Sequence, residues 1–438
     1  MFGLDALRSE VDTCEALRFL GRVRAVGGGT FQIASAGIDW RLGDRVRLHI
    51  GAPHEGEVVA LETDSVTVLP DGPIDGVKLG DAVERIGPSE IAPDTSWIGR
   101  VLDPFGAPLD GRPVVRGKER PLRAAPPAPA KRRSLGSRLE TGLAVFNTLL
   151  PLVRGQRIGL FAGSGVGKSS LLAKFARGVE ADVTVFALIG ERGRELREFV
   201  DHVLGVDGMA RSVVIAATAD QSPLVRRRCA WAAMAVAEYF RDRGDQVLFL
   251  ADSITRFAEA HREVALAAGE PPSLRGFPPS TSHLIMSLAE RAGPGPEGEG
   301  DITAVFSVLV AGSDMDEPIA DILRGVLDGH AVLERDIAER GRYPAINLLR
   351  SVSRSLPRAA SSEENALIQK ARKLLGAYDR AEMMIQAGLY VAGSDADIDA
   401  AIRVWPALDA FLADDYDESV AESFARLREI LEPVKQAG

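Results

Sequence analysis

Cysteine is almost missing from this chain: among 438 residues only Cys14 and Cys229 carry thiols, far apart and outside any CxxC spacing. A disulfide framework and a cysteine-built zinc site are both unsupported, and a reducing compartment fits. Histidine is scarce as well, with six residues and no HExxH. His49 and His54 read as a sheet residue and a turn residue rather than as metal ligands. Aromatics make up 6% of the chain, too few for a surface that stacks bases. A basic excess is also absent. Lys+Arg 52 against Asp+Glu 62 leaves a net charge of −10, so non-specific attraction to a nucleic-acid backbone is not expected. No apolar run approaches the ~18 residues of a membrane span. The first residues, "MFGLDALRSEVD", carry acids where a secretion signal needs bases.

What is present is the balance of a soluble globular chain, 46% hydrophobic and 26% charged. Residues 1–17 read as a short helix with Leu4, Leu7 and Val11 on one face, either a segment for partner docking or a frayed terminus. Residues 18–95 hold short β-rich pieces, "RVRLHIG", "GEVVALE" and "SVTVLP", separated by Gly, Pro and Asp turns. That spacing predicts a small closed β-barrel. A Pro-rich, basic connector spans 96–139, and its "LRAAPPAPAKRR" favours extended, solvated chain over packed helix.

Residues 140–360 alternate apolar strands with amphipathic helices. The strands "RIGLFA", "VTVFALIG", "SVVIAATA", "QVLFLAD" and "ITAVFSVLVAG" predict an α/β domain with a mostly parallel sheet covered on both faces. Residues 361–438 show 3.6-residue periodicity without strands and predict a helical domain. "SSEE" supplies a hydroxyl cap and acids at its start. No repeat of solenoid length is visible.

The chemistry concentrates in "RIGLFAGSGVGKSSLL", a strand, a Gly-rich loop and a helix start in the order a phosphate-binding loop requires. Gly163, Gly165 and Gly167 let the backbone N–H groups of Ala162, Gly163, Ser164, Gly165, Val166, Gly167 and the following Ser170 turn toward phosphate at a helix N-terminus. Lys168 would reach the β- and γ-phosphates of ATP, and Ser169 would ligate Mg²⁺. The strict pattern asks for glycine where this chain has Ala162. Alanine serves there if its φ stays negative. Asp252, at the end of "QVLFLAD", supplies the second metal-side acid where ligands bind in open α/β sheets. As an alternative or additional role, it caps the helix "SITRFAEAHREVAL". Glu191, directly after another core strand, is placed to polarise a water in line with the γ-phosphate. Glu195, a turn further on, reads as a helix-surface acid paired with a nearby arginine.

These motifs, together with "GERGRELREF", "DQSPLVRRRCAWAAMAVAEYFRDRG", "AAGEPP", "DEPIADILRGVLDGH" and "AERGRYPAINLLRSVSR", resemble the ATPases of type III protein export, sisters of the catalytic subunit of rotary ATP synthases. The resemblance runs from about Gly21 to Phe424. It implies a RecA-like P-loop NTPase domain between a β-barrel and a helical domain. It also implies that Glu191 is the catalytic carboxylate, that Arg192 lies near the γ-phosphate, and that Arg256 belongs to the site. It makes Arg354 of "SVSR" an arginine finger entering the neighbouring subunit of a homohexamer, and Tyr343 the aromatic that packs on adenine. The implied partners are a regulator at the N-terminal segment, a central stalk protein, an export gate and chaperone–substrate complexes. The implied location is the cytoplasmic face of the inner membrane, with membrane association through partners only.

Three positions depart from that family's pattern. Ala251 stands where methionine is usual, the loop 281–286 reads "TSHLIM" where an aromatic, a basic residue and proline are expected, and Asn147 stands where aspartate is expected. The family motifs favour flagellar export over virulence secretion. "AGSGVGKS" favours the export branch over a rotary ATP synthase subunit, and Glu191 argues against a non-hydrolysing regulatory subunit. An RNA translocase would need a basic, aromatic barrel, which "GIDWRLGDRVRLHIG" does not offer.

Overall fold

The computed structural model describes residues 20–35, 37–49, 54–310, 315–413 and 419–432. The docking segment expected at 1–17, and Cys14 within it, lie outside the described residues. By packing, the described chain forms two compact units. One holds the residues through Glu90 together with Gln221–Val225 and Ala260–Pro278, and the other holds the rest.

In the first unit, strands β1 (Leu20–Gly27), β2 (Thr30–Ala34), β3 (Arg45–Leu48), β4 (His54–Leu61), β5 (Ser65–Pro70) and β6 (Ala82–Gly87) close a barrel in the order β1-β2-β5-β4-β3-β6. Residues alternate most clearly along β2 and β5, where one face fills the interior and the other lies outside. The interior is Phe31, Ile33, Val46, Leu48, Val58, Val66, Val68 and Val83. Charges drawn into the barrel wall are paired: Arg45 with Asp71 and with Glu55 at 3.2 Å, and Arg85 with Asp44 at 2.6 Å. His49 and His54 exchange their expected places. Pairing of Leu48 with His54 makes His54 the first residue of β4, while His49 lies just past β3 with Nε2 2.9 Å from Glu84.

The second unit is built on a nine-stranded sheet. It contains β8 (Arg100–Leu102), β10 (Arg157–Ala162), β11 (Val183–Glu191), β12 (Ser212–Thr218), β13 (Val247–Asp252), β15 (Asp301–Leu309), β16 (Gly329–Leu333) and β17 (Ile346–Ser353), in the order β17-β16-β10-β15-β13-β11-β12-β8. The short β14 (Gly293–Pro294) pairs antiparallel beside β15, and β7 (Glu90–Ile91) pairs with β9 (Arg120–Pro121) apart from this sheet. Neighbours from β16 to β8 run parallel, and β17 closes the edge antiparallel. The five strands expected from apolar runs are β10, β11, β12, β13 and β15. β13 is buried throughout, as strands covered on both faces must be. β17 escaped that reading because an edge strand leaves Leu349 and Val352 partly exposed and its sequence carries no continuous apolar run.

The basic connector is extended and mostly exposed, as expected, but it is pinned at points: Leu122 is buried, Arg132 donates to the carbonyls of Glu290 and Ala292, and Arg133 bonds Asp301 at 2.6 Å. The guanidinium groups tie extended chain to carbonyl and carboxylate oxygens where no regular ladder can. One expectation fails locally, at 281–286. These residues form no loop; they lie in the helix Ser280–Arg291, with Thr281 and Ile285 buried.

The C-terminal helices Ser362–Gln386, Ala396–Leu412 and Val420–Leu431 pack on one another, with the Tyr378 and Trp405 rings stacked 4.0 Å apart. The first begins at a capping box. Ser361 Oγ accepts from the Glu364 amide at 3.2 Å, and the Glu364 carboxylate accepts from the Ser361 amide at 2.6 Å. Asn147 has a physical account here. It is fully buried, its Oδ1 accepts from the amide and hydroxyl of Thr141, and its Nδ2 donates to Ser423 Oγ at 3.2 Å. A carboxylate could not make that last donation; the amide links the segment before the sheet to the last helix.

Candidate active site

The stretch at 157–172 folds as strand β10, a loop, and the helix Lys168–Gly178. Ala162 belongs to the strand. It is paired with Leu309 on one side and Leu333 on the other, and its carbonyl accepts from the Val310 amide at 3.0 Å. No positive φ is needed, so alanine is accommodated. Glycine is required further on: Gly165 and Gly167 hold φ of +76° and +86°, a region L-residues with a Cβ rarely adopt. Gly167 is also approached by Tyr343, whose ring lies 3.0 Å from where a Cβ would stand. Val166 is buried and anchors the loop, while Ser164, Ser169 and Ser170 face solvent. Gly165, Gly167, Ser170, Lys174 and Tyr343 line a cavity of about 380 Å³.

Lys168 turns inward from the first helical turn and donates to Asp252 Oδ1; the two side chains are 10% and 6% exposed. The sheet order explains the meeting. β13 ends at Asp252, β10 ends at Ala162, and only β15 lies between them. From β15, the fully buried Ser307 donates its hydroxyl to the same oxygen at 2.7 Å. Asp252 is not the helix cap: Ser253 Oγ receives the Arg256 amide at 3.4 Å instead.

Glu191 ends β11, the next strand. A bulge at Gly190, with φ +71°, shifts the register so that Glu191 rather than Gly190 lies opposite Thr218; bulges of this kind re-aim the following side chain. The Glu191 carboxyl is pushed up to about 7, first by burial and then by the negative charge of Asp252, with a hydrogen bond to Glu195 adding to the rise and the Lys168 ammonium opposing it. Glu195 in turn pairs with Arg192 at 2.9 Å.

The structure therefore brings Asp252 and Glu191, at the ends of neighbouring β13 and β11, to the same side of the sheet as Lys168, which follows β10. It does not bring Arg354 there. That side chain lies past β17 and donates to the Arg324 carbonyl at 3.0 Å, at the end of the helix Pro318–Val326. Arg192 is largely exposed against Glu195, and Arg256 pairs with Glu259 at 3.1 Å. Sequence reasoning passed over two residues here, Gly190 and Ser307. The signal for Ser307 was visible, a lone hydroxyl in the otherwise apolar "AVFSVLV".

No group of three or more His, Cys, Asp or Glu among the described residues could hold a metal. None of their helices is long and apolar enough to cross a membrane.

The family model described as "ATP synthase alpha/beta family, nucleotide-binding domain" matches residues 142–353, and "T3SS EscN ATPase C-terminal domain" matches 360–429. The flagellum-specific ATP synthase of Caulobacter vibrioides is 44% identical, covering 98% of this chain and 99% of that protein. The type 3 secretion system ATPase of Xanthomonas euvesicatoria is 42% identical over 94% of this chain and 93% of its own length. Among solved structures, the assembled ATPase EscN from the type III secretion system of enteropathogenic E. coli superposes with a TM-score of 0.88 at 36% identity. That match covers 94% of this chain and 100% of EscN. With near-complete coverage at this identity, and with the strand-end site in place, the chain belongs to the type III protein export ATPases, the family of flagellum-specific ATP synthases and type 3 secretion system ATPases, and it is an ATPase.

Proposed function

We propose that the chain hydrolyses ATP to drive flagellar type III export, working as a cytoplasmic homohexamer at the inner face of the membrane. The observation that carries this reading is the convergence of Lys168, Asp252 and Glu191 on the ends of β10, β13 and β11. A binding-only protein needs the first of these but has no use for a carboxyl held near neutrality beside it.

The reaction follows from the geometry. The loop from Gly163 to Gly167 presents backbone N–H groups to the phosphates, and Lys168 exchanges its carboxylate partner for phosphate oxygens. Asp252 and Ser169 suit magnesium, which takes one or two protein oxygens and keeps the rest of its shell for phosphate and water. When bound, the ion neutralises charge on the phosphates. Glu191, once deprotonated, orients the attacking water and accepts its proton. Tyr343, 47% exposed beside Gly167, is placed to pack on adenine. Arg192 and Arg256 would have to leave their partners Glu195 and Glu259 to reach the γ-phosphate. Arg354, turned away from its own chain's site, acts in the neighbour's site, which makes turnover depend on assembly. The further partners would be a regulator at residues 1–17, a central stalk, an export gate and chaperone–substrate complexes. EscN has been solved with its central stalk EscO.

Deletion of the gene, followed by motility and secretion assays, tests the reading. Loss of flagellar filaments, restored by the wild-type chain but not by Glu191→Gln, is expected. Normal filaments with lost secretion of virulence proteins would transfer the function to a virulence system.

A further inference from the structure

Strand β15 lies between the strand that leads into the phosphate loop and the strand that ends in Asp252. Eight of its nine residues are buried, and its middle carries one hydroxyl, Ser307, in a run of apolar neighbours. A buried hydroxyl is stabilising only if it is bonded, and this one donates to Asp252 Oδ1 at 2.7 Å. The Lys168 ammonium meets the same oxygen, and Oδ2 takes neither donor.

The two donors differ in what nucleotide does to them. Lys168 sits on a helix start, and its long side chain is drawn to phosphate when the loop fills. Ser307 sits on a central strand with parallel partners on both sides, Leu160 of β10 and the end of β13, and has no other place to go. We infer that Ser307 is a positioning residue for the hydrolytic site: its hydroxyl holds the Asp252 carboxylate in one rotamer after Lys168 has left, with Oδ2 turned free for the magnesium side of the nucleotide. A carboxylate so held has lost its rotational freedom before the ion arrives, and second-layer partners of this kind typically carry ten- to hundredfold in metal affinity or activity. The inference rests on Asp252 being the metal-side acid.

The test measures ADP affinity of the full chain by calorimetry, once with Mg²⁺ and once with EDTA, and takes the ratio. It needs no turnover. Three variants are compared: Ser307→Ala, which removes the hydroxyl; Ser307→Cys, which keeps the volume with only a weak donor; and Asp252→Asn. Both Ser307 variants should lower the magnesium-dependent gain about tenfold while leaving affinity in EDTA within about twofold, and the KM for ATP in magnesium should rise in step. If Ser307→Cys behaves as wild type while Ser307→Ala does not, the residue only fills space and the inference fails. It also fails if both Ser307 variants keep the full gain while Asp252→Asn loses it. If Asp252→Asn itself keeps the gain, the assignment of Asp252 is what falls. Thermal unfolding of each variant identifies any that do not fold, and either surviving Ser307 variant decides against the inference if it retains the gain.

Discussion

The inner strand ends and the outer edge of the sheet handle charge in opposite ways. At the inner ends, Lys168 and Asp252 are 10% and 6% exposed, each with its partner supplied by the same chain. At the edge, Arg354 follows β17, is exposed and, among the described residues, donates to the Arg324 carbonyl. A buried ion pair is costly to form and costly to break, so it must be complete within the fold. An exposed arginine bonded to a single carbonyl is loosely held and free to be recruited. In the function proposed above, binding chemistry is built into each subunit, while Arg354, the group proposed to answer charge developing on the γ-phosphate, would be supplied by a neighbour.

The sharpest way to break that contrast is at the edge. Arg354→Ala should keep nucleotide affinity but lose about 10³- to 10⁵-fold in kcat. Mixing it with Lys168→Ala protein should recover part of the activity, because some interfaces then join an intact loop to an intact arginine. A mixture as dead as its components would place Arg354 outside the neighbour's site. At the inner ends, Glu191→Gln should lose about 10²- to 10⁴-fold in hydrolysis with ATP affinity unchanged. Equal turnover by both proteins would show that Glu191 is not the catalytic carboxylate.

Asn147 sharpens the comparison from the structural side. Its amide serves three bonds at full burial, so Asn147→Ala should cost about 1–3 kcal/mol in denaturant unfolding with little change in the strand-end chemistry. A variant as stable as wild type would make the network dispensable.

The smallest effect concerns pH. The Glu191 carboxyl titrates near 7 in the folded chain against about 4.5 when unconstrained. The folded state therefore holds the extra proton between those values. Its contribution to stability is complete below the lower value and is lost as pH rises through the upper one. Nucleotide-free Glu191→Gln should then match wild type at pH 4 and exceed it at pH 8 by about 1–2 kcal/mol, allowing for solvent screening of a partly exposed carboxyl. The same difference at both pH values would contradict the assigned titration.

Much of this was legible in the residues because the physics is local. Continuous apolar runs mark strands covered on both faces, and glycines mark the loop that must curl. An acid directly after such a run marks a strand end where ligands bind. Ser361 with Glu364 announced its own helix cap for the same reason. What was illegible depends on neighbours distant in sequence. β17 lacks an apolar run because it is an edge. The arginines of the connector look solvated until Glu290, Ala292 and Asp301 come to meet them. The helix at 281–286 is hidden in a stretch that resemblance marks as a loop.

Ala162 shows where the division falls. The sequence alone determined that a phosphate-binding loop follows β10 and that Lys168, Asp252 and Glu191 are the residues to watch, because each motif is written within a few consecutive positions. Only the tertiary structure decided that Ala162 is a strand residue paired on both sides, that Gly190 aims Glu191, and that Ser307 completes the hold on Asp252. Those facts depend on the order of strands in the sheet, which brings residues from far along the chain within one hydrogen bond of each other.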